Sequence, residues 1–274
     1  MADEVRFAAD LFRGTAGYYD RYRPPYPEAM LTDLVQRAGV SQRGRLLDLA
    51  CGTGQLAFPL RRWFSEVWAV DQEPDMVELV RAKAAAGGAG EVRAIVSSAE
   101  TLRAEPEYFE LAVVGNAFHR LDRDLTAGRV LGWLKPGGHL ALCWSSQPWD
   151  GAAGWQQALA ALLDRWRTAL SAQGRIPAGW AEARQRRPDL QVLSDAGFEG
   201  AGSHEFPVGH RWSAPELAGL IRSTSFLPAS VLGDQGAAFD ADLAATLGPY
   251  GDSGAFTETM SFTYDLARRP ALVS

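Results

Sequence analysis

The sequence predicts an α/β fold on a seven-stranded, mostly parallel sheet with one antiparallel strand and helices on both faces. Three observations carry this. Strand and helix signals alternate through residues 40–146, the pattern of a parallel sheet. One strand-to-helix crossing is a small-residue turn, Ala50-Cys51-Gly52-Thr53-Gly54. Two further strand signals lie near the C terminus, separated by helical segments.

In chain order, Leu46–Ala50 is a short buried strand and Gln55–Phe64 a helix. Glu66–Val70 is the second strand. The helix Pro74–Ala84 follows, with Pro74 and Asp75 suited to its first turn. Val92–Ser97 and Leu111–Gly115 are the next strands. Asp122–Leu134 is helical and stops at Lys135-Pro136-Gly137-Gly138, ahead of the fifth strand, His139–Ser145. Gly154–Ala172 has helical apolar spacing, and Asp189–Phe198 reads as a helix with a glycine stop. His204–His210 and Glu258–Arg268 are expected to complete the sheet as an antiparallel pair. Between them, Ser213–Ser225 opens with the capping box Ser213-Ala214-Pro215-Glu216, and Asp240–Leu247 is helical. No repeat or low-complexity linker interrupts the chain. Residues 1–274 therefore read as one domain, with a core of about 40–146 plus 196–274. Residues 1–39, 147–195 and 213–250 are expected to form a helical cap over the substrate side.

Composition narrows the function classes. The chain is 47% hydrophobic and 22% charged, with net charge −6. That acidity argues against a general nucleic-acid role. The start, Met1-Ala2-Asp3-Glu4, is acidic and no long apolar run follows, so neither a leader nor a membrane span is expected. Cys51 and Cys143 are expected as buried thiols rather than a disulfide or metal pair. No cluster has metal-ligand spacing, and no G-x-S-x-G elbow occurs. The expected setting is cytoplasmic, as monomer or homodimer.

The turn after the first strand is the strongest functional signal. Small residues are needed where a ligand approaches the backbone. Asp71 lies 17 residues beyond Gly54, where the second strand ends, and a carboxylate there can accept from both hydroxyls of a ribose. The pair points to an adenosine-containing cofactor. Gly52-Thr53-Gly54-Gln55-Leu56-Ala57 also fits the dinucleotide pattern G-x-G-x-x-G/A, so a nicotinamide or flavin enzyme is a competing reading. Asp48 argues against it, because a carboxylate at the mouth of a phosphate turn repels a pyrophosphate. A ligand carrying a sulfonium and an ammonium is favoured by the same charge.

Asp48-x-Ala50-x-Gly52-x-Gly54 resembles motif I, (D/E)-x-G-x-G-x-G, of class I S-adenosylmethionine-dependent methyltransferases, with Ala50 in place of the first glycine. The segment Leu134-Lys135-Pro136-Gly137-Gly138 before an apolar strand is similar to theirs. Tyr19-Asp20-Arg21-Tyr22-Arg23-Pro24-Pro25-Tyr26-Pro27 resembles the Tyr-Asp-x-x-Arg-Pro-x-Tyr-Pro motif of their small-molecule, type 11-like branch. The resemblance implies a Rossmann-like fold, S-adenosylmethionine as cofactor and S-adenosylhomocysteine as product.

The resemblance also implies site roles. Arg23 presents a planar fork suited to the methionine carboxylate, and Tyr18 or Tyr19 closes over the methyl-donor side. Ala50, Gly52 and Gly54 line the turn, Asp48 orients the ammonium, and Asp71 takes the ribose. Gln72 and Met76 flank the adenine. Ser98 stands where family members often carry an aspartate toward the adenine amino group, and the Ala99 amide serves the ring. Asn116-Ala117-Phe118-His119-Arg120-Leu121-Asp122 occupies the family's donor-and-acceptor loop. There Arg120 and Leu121 replace the aromatic pair of Ala-x-His-Trp-Phe-Asp. Asn116 is expected to face the sulfonium with its backbone, and His119 is the candidate general base. His204 and His210, six apart on one strand, share a face and are substrate-pocket candidates with Trp149. Trp155, Trp180, Trp212 and Phe226 are further aromatic candidates. The Arg184–Arg187 cluster reads as a solvated face, or as an anion clamp.

The expected function is methyl transfer to an apolar or aromatic small molecule through O, N or C, in secondary metabolism. The alternatives are a protein of this fold that uses the cofactor without methyl transfer, and a nicotinamide oxidoreductase.

Overall fold

The computed structural model describes residues 7–41, 43–87, 91–251 and 254–271. Its strands are β1 (Arg45–Leu49), β2 (Glu66–Asp71), β3 (Glu91–Val96), β4 (Phe109–Gly115), β5 (Leu134–Ser145), β6 (Glu199–Ser213) and β7 (Ala255–Arg268). The helices are α1 (Ala16–Tyr22), α2 (Glu28–Arg37), α3 (Ala57–Leu60), α4 (Pro74–Ala85), α5 (Arg123–Trp133) and α6 (Gly154–Ala169). They continue with α7 (Trp180–Arg186), α8 (Asp189–Asp195), α9 (Ala214–Arg222), α10 (Ala229–Leu232) and α11 (Gly236–Leu247).

The seven strands lie in the order β3-β2-β1-β4-β5-β7-β6. β1 to β5 run parallel to one another, while β7 runs antiparallel to both β5 and β6. The fold is thus the mostly parallel sheet expected, with β7 as its reversed strand. Successive residues of the central strands serve opposite cores. Leu46, Val67, Ala69, Leu111, Val113 and Ala141 pack on one face with α2, α6, α9 and α11 residues. Leu47, Leu49, Val70, Ala112, Val114 and Leu142 pack on the other with α5 and α8 residues. Coverage on both faces explains why these strands read as apolar runs.

Three elements differ from their expected extents. The expected helix Gln55–Phe64 is only α3 followed by a 3-10 turn, Arg61–Trp63; Pro59, which lacks an amide proton, is confined to a first helical turn. Residues Lys135–Gly138 run within β5 instead of standing before it. The β4–β5 register jumps between Phe109 and Leu111, so the turn is taken up as a bulge. β6 and β7 pair from Glu199↔Arg268 to Ser213↔Ala255, far beyond His204–His210. Their ends carry few apolar residues, so alternation signalled only the middle; Pro207 is accommodated because β6 is an edge strand.

The sheet order reverses between β1 and β4, where α/β folds bind ligands beyond the strand C-termini. α1 is held above this end by two contacts. It packs on α9, with the Tyr22 ring against Gly219, where a Cβ would lie 2.5 Å from it. Lys83 of α4 pairs with Asp20 of α1 and donates to the Thr53 carbonyl (2.9 Å), tying α1 to the glycine turn.

Candidate active site

The chain leaves β1 through an unusual backbone. Ala50, Gly52 and Gly54 all have positive φ (55°, 53° and 86°). Ala50 pays steric strain that glycine avoids. At Gly54 a Cβ would lie 2.6 Å from the Phe58 ring, so only glycine fits without a shift. Asp71, at the end of β2, fixes this turn: its Oδ2 accepts from the Gly52 amide (2.8 Å) and its Oδ1 from Glu73 (2.9 Å). Burial raises the Asp71 carboxyl above its usual range, against the lowering effect of these amide bonds.

A cavity of about 360 Å³ opens over these strand ends, within the range of small-molecule sites. Tyr19, Ala50, Gly52, Asp71, Gln72 and Met76 line it. Ser98, Ala99 and Asn116 complete its wall from the ends of β3 and β4. A smaller hollow shares Tyr19, Ala50 and Asn116 with it and is bounded by Arg23 and Asp48. Every expected cofactor residue except Gly54 therefore borders one of the two spaces. Gly54 shapes the turn from beneath.

Asp48 is buried and bonded inward. Its Oδ2 accepts from the Ala57 amide (2.8 Å), so it braces the start of α3 as well as bordering the hollow. Burial pushes its pKa up to about 7, Asp71 adds to the rise, and the Ala57 bond opposes it. Asn116 adopts φ 51° at the end of β4. Its side chain is fully used: Oδ1 accepts from Ser145 N (3.0 Å), and Nδ2 donates to Tyr26 Oη and Ser145 Oγ (both 3.1 Å). The side chain therefore holds the strained backbone, a common arrangement at functional sites.

Tyr19 stands between the two spaces. Its ring lies 3.2 Å from where a Gly52 Cβ would be. The Arg23 guanidinium lies over it at 4.9 Å. Arg23 donates to Ser223 Oγ (2.9 Å) and Gln147 Oε1 (3.3 Å), and burial lowers its pKa. It is a cation presented by neutral partners, not a surface ion pair.

Other expected positions fall elsewhere. His119 borders neither space. It packs among Phe7, Trp144 and Trp180, with ring centroids 5.1–5.6 Å away. Its Nε2 accepts from Arg120 Nε (3.2 Å), and its Nδ1 is buried without a partner. Burial, with Arg120 next, holds its pKa well below the usual range. The structure thus places the expected base beside the cavity wall as the acceptor for Arg120. Tyr18 stacks on Tyr22 away from the cavity (6.1 Å). Trp149 packs on Phe226 (5.4 Å). His204 and His210 do share a face of β6, but lie against Tyr264 and Trp212 at the sheet edge. None of these four borders the cavity. Trp155 and Trp212 are core residues. Two arginines of the basic cluster are paired: Arg184 with Asp189, and Arg187 with Asp124 and Asp195.

Phe7, Phe12 and Arg120 are among the wall residues that the sequence reading did not assign to the site. Phe7 and Phe12 cover the cavity from the N-terminal segment, and Arg120 enters it from the loop after β4. Arg120 standing where the family pattern carries an aromatic residue is the signal that could have exposed the last.

The fold is Rossmann-like, and the glycine turn braced by Asp71 lies at the strand ends where such folds bind ligands. Residues 46–138 match the family model of a methyltransferase domain. An uncharacterized methyltransferase of Mycobacterium tuberculosis is 30% identical over 56% of this chain and 59% of its own length. The match thus spans somewhat more than half of that relative. Among solved structures, the YcgJ protein of Bacillus subtilis aligns over 89% of this chain and 99% of its own (TM-score 0.56, 16% identity). The phosphoethanolamine N-methyltransferase 2 of Haemonchus contortus, in complex with S-adenosyl-L-methionine, aligns over 94% of this chain and 57% of its own (TM-score 0.52, 14% identity). Among the described residues no helix is long and apolar enough to cross a membrane, and no cluster fits a metal ion.

Proposed function

We propose that this protein transfers a methyl group from S-adenosylmethionine to an apolar small molecule, in the cytoplasm and in secondary metabolism. The observation that carries the reading is the cavity over the β1–β4 switch point, with Asp71 at one end and Arg23 near the other. Asp71 serves the ribose hydroxyls, and Met76 with Ser98 and Ala99 the adenine. Arg23 serves the methionine carboxylate through a charge-assisted pair. Asp48 stands on the ammonium side. Phe7, Phe12 and Leu121 supply apolar wall on the acceptor side. The two cysteines are buried and free, in keeping with a reducing compartment.

When bound, the cofactor supplies a methyl group already activated on sulfur. What remains for the chain is to align the acceptor and exclude water, effects that reach roughly 7–11 kcal/mol. Tyr19 and the Phe7–Phe12 segment do the excluding, and the Asn116 backbone sets the wall at the reacting end. The test is transfer of a radiolabelled methyl group to a panel of small acids, phenols and amines. Labelled product is expected. Retained cofactor without product across the panel favours the reading in which the cofactor is used without transfer. Binding of reduced nicotinamide, with neither S-adenosyl ligand bound, favours the oxidoreductase.

A further inference from the structure

Among the described residues, the loop after β4 holds a cation without an anion. Arg120 borders the cavity. Its Nε donates to His119, its Nη2 donates to Ser225 Oγ (3.2 Å), and its Nη1 is buried with no hydrogen-bond partner. Phe12 lies 4.4 Å and Phe7 5.4 Å from the guanidinium. Among the described residues it forms no salt bridge, whereas nearby Arg123, Arg184 and Arg187 are all paired with aspartates. The largest charge influence on it is repulsive, from Arg23. Burial lowers its pKa only to about 10, so it stays cationic at neutral pH. A desolvated cation with open donors is costly unless an anion arrives to meet it.

We propose that Arg120 is the acceptor-recognition residue, and that its open Nη1 edge binds a carboxylate on the methyl acceptor. This rests on the methyl-transfer reading above. A planar fork matches a carboxylate in two parallel hydrogen bonds. The flanking phenylalanines suit an apolar body attached to that carboxylate. His119 acts through Arg120: as a neutral acceptor clamped by Trp144 and Trp180, it fixes the guanidinium plane. The cofactor's own carboxylate has a separate cation in Arg23, which borders the smaller hollow, a space Arg120 does not line. The acceptor is thereby narrowed from an apolar molecule to an apolar carboxylic acid.

The test is calorimetry on the S-adenosylhomocysteine-loaded protein. Benzoate, cinnamate and octanoate are compared with benzamide, cinnamamide and octanamide, for wild type, Arg120→Gln and Arg120→Lys. Wild type is expected to bind at least one acid about tenfold or more tighter than its amide. Arg120→Gln is expected to weaken that acid by roughly 30-fold or more, the usual cost of removing one partner of a buried charge pair. Arg120→Lys is expected to recover part of the loss. Affinity for S-adenosylhomocysteine itself stays within about threefold in all three proteins, which also shows that the variants are folded. The inference is overturned if no acid is preferred over its amide, or if the preference survives Arg120→Gln. It is also overturned if that variant loses S-adenosylhomocysteine as strongly as the acid, since the guanidinium then serves the cofactor. Wild type that binds no S-adenosylhomocysteine overturns the methyl-transfer reading itself, and this inference with it.

Discussion

Asp71 and Gly52 are joined by a 2.8 Å hydrogen bond from the glycine amide to the carboxylate. The bond couples the two strongest sequence signals, the small-residue turn and the acidic end of β2, into one unit. The same carboxylate is the proposed ribose acceptor, so its geometry is set before any ligand arrives.

Asp71→Asn is therefore expected to weaken S-adenosylhomocysteine by about 10- to 100-fold, the range for a hydrogen bond to a charged group. Titration calorimetry measures this. An unchanged affinity removes Asp71 from the ribose site.

Cofactor affinity is expected to depend on pH through Asp48. Its carboxyl, at about 7 when nothing is bound, is half protonated near neutrality. A bound ammonium lowers that pKa, so binding releases a proton and affinity rises from pH 5.5 toward 7. The stability of the free protein runs the other way. The raised folded pKa favours the protonated form, so its contribution is complete below about pH 4 and is lost as pH rises through about 7. Asp48→Asn is expected to flatten both profiles, read by calorimetry and thermal melting.

His119 is expected to leave no inflection near its ordinary value in the pH profile of kcat. Its pKa is held well below that value, so the ring stays neutral through the working range. A rising limb near pH 6.5 that disappears in His119→Asn restores it as the base.

Gly54→Ala is expected to destabilise the fold by roughly 1–3 kcal/mol, the usual cost of overpacking. The new methyl meets Phe58 at 2.6 Å and carries a φ of 86°. Gly219→Ala acts at a distance by pushing Tyr22 and α1 off α9. It is expected to weaken cofactor retention more than it lowers the melting temperature. Equal losses in both remove α1 from the closing of the site.

Much of the cofactor side was legible because its demands are local. Ala50, Gly52 and Gly54 reveal a tight turn through their size alone, and Asp71 is found by counting one βα unit further. The acceptor side depends on long-range packing. His119 has the right chemistry for a base, yet the placement of Trp144 and Trp180 turns it into a neutral acceptor. Trp149, His204 and His210 carry plausible side chains on elements that the β6–β7 strand pair and the helices beside it carry away from the cavity. Arg120 stands where the family pattern has an aromatic residue, but only the fold shows that it is paired with no aspartate among the described residues.

The most direct test of the account is titration of the purified chain with S-adenosylmethionine and S-adenosylhomocysteine, with reduced nicotinamide as the control. Saturable binding of both S-adenosyl ligands, weakened by Asp71→Asn, and none of the nicotinamide, is the predicted result. Binding of the nicotinamide alone, or of none of the three, contradicts it.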